Sequence, residues 1–173
     1  IYVLKKQKKN CTELLIDYLL KNKFNEYIAN HAGNLFYNFE YDNELKRLFE
    51  ITKLNIKNIK KDKYYLFYIQ GKFFEKKEDF NKSKKAYSNS ILCNKHFFRS
   101  YVRLLSLLEK TNNLNDIDLL LKEGLKNFKD IDQQNILILY KSIYLNRIKN
   151  YTESQKLIQK NNLEVKLAKN IPF

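Results

Sequence analysis

Apolar residues along this chain recur in the three-and-four spacing of amphipathic helices, broken by short polar gaps. Leu14, Leu15, Tyr18 and Leu19 form the first stripe and predict a helix from about Cys11 to Leu20. A second helix is predicted over 25–38. A third runs from Tyr41 to about Asn55, with Leu45, Leu48, Phe49 and Ile51 turned inward. Further helices follow over about 64–76, 80–93, 97–111, 114–127, 133–148 and 151–160. A last one begins at Leu163 and stops at Ile171-Pro172. Residues 1–9 read as a basic lead-in, and Lys57–Lys63 as a charged connection or an extra helical turn. The gaps within successive pairs are two or three residues, too short for anything but antiparallel neighbours.

The stripes also repeat. Tyr64–Lys95 overlays Phe98–Lys129 without a gap, a period of 34 residues. Phe67, Gln70, Gly71, Phe74, Phe80, Ser83, Tyr87 and Ser90 fall on Tyr101, Leu104, Leu105, Leu108, Leu114, Ile117, Leu121 and Gly124. A fixed period of this length implies stacked supersecondary units, each burying its stripe against the next.

These residues resemble the tetratricopeptide repeat. Phe67-x2-Gln70-Gly71-x2-Phe74 followed by Ser83-x3-Tyr87 matches its pattern, and Tyr101-x2-Leu104-Leu105-x2-Leu108 with Ile117-x3-Leu121 matches in polarity. Two weaker copies flank them. One is Ile28-x2-His31-Ala32-x2-Leu35 with Tyr41, Glu44 and Leu48; the other is Ile138-x2-Lys141-Ser142-x2-Leu145 with Tyr151, Ser154 and Ile158. Copies start 39, 34 and 37 residues apart. No copy ends in the usual Pro, and Lys95 and Lys129 stand there in the two central ones, so related helical-hairpin arrays share the pattern.

The resemblance implies an all-α, right-handed α-solenoid of about four antiparallel helix pairs. Its parts are a lead-in and N-terminal helix over 1–24, the array over 25–160, and a capping helix or tail over 161–173. Gly71, Ala32 and Ser142 are expected where the helices of one pair cross, and Ser83, Ser90, Ser154 and Gly124 where pairs stack, with aromatics filling the space beside them.

Composition adds few constraints. Three Gly and one Pro disfavour a hairpin-rich β fold. A net charge of +14 raises nucleic-acid binding as a second functional class. Against it, only Arg47, Arg99, Arg103 and Arg147 offer the bidentate fork that phosphate and base recognition favours. A Lys- and Asn-rich bias also fits an AT-rich coding sequence. Cys11 and Cys93 form no ligand pair, and free thiols favour a reducing compartment, cytoplasmic or organellar. With Ile first and no Met anywhere, the sequence reads as part of a longer one.

No catalytic, metal or cofactor constellation is legible: there is no phosphate-binding Gly loop, no paired-His spacing and no nucleophile elbow. A non-catalytic role is therefore expected, with no cofactor. His31 reads as a core histidine beside Ala32, and His96 as a turn residue.

In arrays of this family the first helix of each pair lines a concave groove. Here that assigns Glu26, Asn30 and Gly33, then Tyr65, Tyr68, Ile69 and Lys72, then Arg99, Val102, Arg103 and Ser106, then Ile136, Leu139, Tyr140 and Ile143. Glu26 would repel an acidic ligand, which confines the expected pocket to the last three pairs. Tyr65, Tyr68, Lys72, Arg99, Arg103 and Tyr140 make the candidate partner-binding set, suited to an acidic extended or helical segment of a partner protein within a larger assembly. The clamp that such repeats use for acidic chaperone tails is matched only at Arg99 and Arg103. Ala29, Gly33 and Ile69 occupy its other places.

Overall fold

In a computed structural model the described residues are 2–21, 25–54 and 63–161. They form helices and turns, with no strand among them. The helices are α1 (Tyr2–Lys21), α2 (Glu26–Asn38), α3 (Asp42–Leu54), α4 (Tyr64–Lys76), α5 (Phe80–Cys93), α6 (Phe98–Lys110), α7 (Leu114–Asn127), α8 (Ile131–Arg147) and α9 (Tyr151–Lys160). The expected boundaries hold to within two residues from α2 onward. The lead-in is a correction: it belongs to α1, which begins at Tyr2. The connection up to 62 and the final helix lie outside the described residues.

Four hairpins, α2–α3, α4–α5, α6–α7 and α8–α9, share one turn. In each, three residues separate the helices and the middle one has positive φ: Glu40 (59°), Glu78 (57°), Asn112 (54°) and Lys149 (61°). The amide of that residue donates to the carbonyl three back, and the next amide donates to the carbonyl five back. The second bonds are Tyr41 to Phe36, Asp79 to Phe74, Asn113 to Leu108 and Asn150 to Leu145, at 2.8–2.9 Å. This is the Schellman closure, which satisfies the orphan carbonyls of the first helix and turns the chain back.

The next helix starts at once. Asp79 accepts from the Lys82 amide, and Asn150 from that of Glu153, at 3.2 and 3.3 Å. Hydrogen bonds from Lys82 Nζ and then from its amide hold the Asp79 carboxyl below its ordinary pKa. That cap is therefore present above the ordinary carboxylate value and is lost as pH falls through the lowered one.

Aligning the chain on the positive-φ residues corrects the register of the first copy by one position. Gly33, seven residues before Glu40, takes the place that Gly71, Leu105 and Ser142 hold before their own turns. The inward residues of α2 are accordingly Ala29, Ala32, Gly33 and Phe36, with Phe36 at 0% exposure. The residues expected inward, Ile28, His31 and Leu35, lie about 100° round the helix. Leu35 is 41% exposed, and His31 is exposed, edge-on to the Tyr27 ring at 4.3 Å. The greater apolarity of Ile28 and Leu35 suggested the wrong phase; turn geometry sets the right one.

Small residues act where helices cross. In α4–α5, a Cβ at Gly71 would lie 2.4 Å from the Tyr87 ring. Ser83 Oγ donates to the Gly71 carbonyl (3.0 Å), and Ser90 Oγ to that of Tyr64 (2.6 Å). In α8–α9 the homologous bond joins Ser154 Oγ to the Ser142 carbonyl at 3.2 Å. Ser83, Ser90 and Ser154 therefore tie the two helices of one hairpin together, rather than marking where hairpins stack. Gly124 does sit between hairpins, its absent Cβ 3.2 Å from Leu137 of α8.

The chain divides into two compact units, Ile1–Asn94 and Lys95–Phe173. In the first, α1 packs on α2 and α3, and α2 on α4. Its core is built on Ile16, Phe36, Leu48, Leu66, Ile69 and Phe73. In the second, α6 packs on α7 and on α8, and α8 on α9. First helix against first helix is thus common to both. The ion pairs Lys76–Glu40 and Arg147–Glu109 lie at the ends of these seams. Both are solvent-exposed, so water screens them and they add little to stability.

The shared turn carries a prediction. A non-Gly residue at positive φ costs about 1–2 kcal/mol, part of which Gly gives back as unfolded-chain entropy. Glu78→Gly should therefore raise stability by about 0.5–1 kcal/mol, seen as a higher urea midpoint at unchanged m. A lower midpoint would contradict the conformational argument.

Candidate partner-binding face

The candidate residues all lie on first helices of hairpins. In the first unit α4 carries Tyr65, Tyr68 and Lys72 at i, i+3 and i+7, so one face holds all three, each half-buried. Tyr65 and Tyr68 have ring centroids 6.0 Å apart. The Tyr65 hydroxyl donates to Asn34 Oδ1 at 3.4 Å. Lys72 Nζ lies 4.0 Å from the centroid of Tyr37 and 5.9 Å from that of Tyr68. The structure thus brings these three together and adds Asn34 and Tyr37 of α2.

Asn30 is the third member of that α2 row, at i, i+4 and i+7 with Asn34 and Tyr37. Its Oδ1 is buried and without a hydrogen-bond partner, an acceptor whose desolvation costs about 1–3 kcal/mol unless something donates to it. The register correction explains why Asn34 and Tyr37 escaped the sequence reading. Shifting the first copy by one residue keeps Asn30 on this face, replaces Gly33 by Asn34 and adds Tyr37. Gly33 and Ile69, expected on the face, belong to the α2–α4 seam instead: a Cβ on Gly33 would lie 3.0 Å from Leu66 and 3.3 Å from Ile69. Ile69 is 1% exposed.

In the second unit Arg99 and Arg103 stand one turn apart on α6, both exposed. Tyr140 lies half-buried on α8, the helix packed against α6. Two guanidinium groups at this spacing can engage one carboxylate-bearing segment. A scan of protein-family models, a search of curated proteins and a search of solved structures each find no match to this chain.

The remaining singled-out groups have structural partners or face solvent. Glu75 accepts from the Tyr87 hydroxyl at 2.6 Å, and Asp79 caps α5. His96 is exposed in its turn, Cys11 is exposed and Cys93 half-buried. Among the described residues no three His, Cys, Asp or Glu are grouped to hold a metal ion. No described helix is long and apolar enough to cross a membrane.

Proposed function

We propose that this chain is a right-handed α-solenoid of tetratricopeptide-like hairpins. It acts as a non-catalytic scaffold or adaptor that holds an acidic extended or helical segment of a partner protein in the groove that such arrays line with their first helices. The observation that carries this reading is the α2–α4 face of the first unit. There Asn30, Asn34, Tyr37, Tyr65, Tyr68 and Lys72 combine half-buried aromatic rings, a ring-bound ammonium and an orphaned amide oxygen. Tyr rings of this kind are enriched among the residues that carry interface energy, and an orphaned acceptor suits a peptide amide donor. Within the second unit Arg99, Arg103 and Tyr140 form a face of their own, with the two Arg answering acidic side chains.

The test is charge reversal at exposed positions. Arg99→Glu with Arg103→Glu should leave the helical circular dichroism unchanged. It should weaken the protein partner recovered with the native chain at least tenfold, on the order of 1.4 kcal/mol or more. Undiminished recovery would refute the role of these Arg. Binding to RNA whose log affinity falls linearly and steeply with log salt would move the assignment to a nucleic-acid-binding repeat.

A further inference from the structure

We infer that the first unit carries a second docking site, a trough between α3 and α5 that takes an acidic amphipathic helix. The two helices do not pack as a pair. Between them lies a cavity of about 430 Å³, with α4 as its floor and Phe49, Phe67 and Phe74 among its lining. That volume falls in the usual range of binding clefts, roughly 300–1,000 Å³. The lining residues of α4 run from Leu66 to Phe74, which at about 1.5 Å per residue makes a trough about 12 Å long. A helix docks through anchors at i, i+3 or i+4, and i+7, which span about 10.5 Å, so two turns of a partner helix fit this length.

Charge selects the partner. The α5 wall presents Lys82, Lys85 and Asn89 at i, i+3 and i+7, and α5 contains three Lys and no acidic residue. Lys82 is held by Asp79 at 2.7 Å and lies 5.5 Å from the Phe74 ring centroid. Lys85 is exposed and has no ion-pair partner among the described residues. Across the trough α3 presents Glu50, and its own charges are mixed. A docked helix therefore faces α5 with its acidic flank and the aromatic floor with its apolar stripe. Because all of these residues lie on α3, α4 and α5, the site is independent of the Arg residues proposed above.

The probe is a stapled helical peptide of about 16 residues with Leu at i, i+3 and i+7 and Glu along one flank; its control carries Lys in place of Glu. Fluorescence anisotropy should show the Glu peptide binding at least about tenfold more tightly than the control. Lys85→Glu and, separately, Asn89→Trp should each weaken it about fivefold or more, while Arg99→Glu with Arg103→Glu leaves it unchanged. If the Trp variant loses its helical circular dichroism, Lys85→Glu, an exposed substitution, decides alone. Equal affinity for the two peptides, no binding of the Glu peptide, or indifference to Lys85→Glu would overturn the proposal. So would phosphatidylserine vesicle binding that Lys85→Glu abolishes, without peptide binding, since that would make α5 a membrane-facing surface.

Discussion

Replacing Gly71 by Leu should abolish the native packing of the α4–α5 hairpin, and replacing it by Ala should destabilise the protein despite adding a better helix former. An ideal Cβ at this position would lie 2.4 Å from Cε1 and 2.5 Å from Cδ1 of Tyr87. The ring cannot swing away: it is 0% exposed, and its hydroxyl is tied to Glu75 at 2.6 Å. Helix propensity alone favours Gly→Ala by about 1 kcal/mol. Overpacking a closed site costs about 1–3 kcal/mol for each modest enlargement, so Ala should lose about 1 kcal/mol net and Leu 3 kcal/mol or more. Urea unfolding followed by circular dichroism would measure both. Shrinking the ring by Tyr87→Leu in the Gly71→Ala background should recover part of the loss, a coupling that a double-mutant cycle reads directly. If Gly71→Ala proved more stable than the parent protein, propensity would have won and the crossing would be looser than described.

Truncating Tyr101 to Ala should cost the second unit about 3–5 kcal/mol, the range for deleting a buried aromatic side chain. Tyr101 is 0% exposed, and its ring meets Phe128 edge-on at 5.0 Å. Its hydroxyl accepts from Asn127 Nδ2 at 3.0 Å, at the far end of α7. Burial pushes the pKa of that hydroxyl up to about 12, against the smaller opposing effect of the Asn127 bond, so it stays neutral throughout the range where the protein would be assayed. Tyr101→Phe keeps the packing and removes only the hydroxyl's hydrogen bonding with Asn127 and Glu123, at about 1 kcal/mol per bond. The diagnostic result is the gap between the two variants in a denaturant titration. Equal losses would mean that the hydroxyl, rather than the ring, carries the residue's contribution.

Both sites occupy repeat-equivalent first helices, yet they solve the crossing differently. Gly71 makes room for the Tyr87 ring arriving from α5. In the next hairpin Leu105 and Leu121, both buried, fill the corresponding places, and Tyr101 stands on the first helix where Phe67 does. The exchange of large and small between facing helices conserves volume across the pair. This is why a 34-residue period survives in polarity while few identities recur.

How much of this was legible in the sequence depends on which residues carried the information. The helices were, because stripes such as Leu45, Leu48 and Phe49 or Leu104, Leu105 and Leu108 repeat at helical spacing and polar gaps interrupt them. The positive φ of Asn112 was legible too, since Asn tolerates that conformation. Glu40, Glu78 and Lys149 were not: nothing in a Glu or a Lys announces a left-handed conformation. Closure of the hairpin imposes it there. The turn itself was placed correctly, but apolarity rather than the positive φ of Glu40 fixed the register, which shifted the first copy by one residue, placed His31 and Leu35 inside, and hid Asn34 and Tyr37 from the candidate face.

The amino-acid order alone determined an all-helical chain of paired segments with a recurring register, because hydrophobic periodicity is a local property written every three or four residues. Only the tertiary structure decided the phase of α2, the in-hairpin role of Ser83, Ser90 and Ser154, and the burial of Gly33 and Ile69 between α2 and α4. Each of these depends on which helix arrives opposite, and that is set by turn closure and by packing between residues distant in the chain.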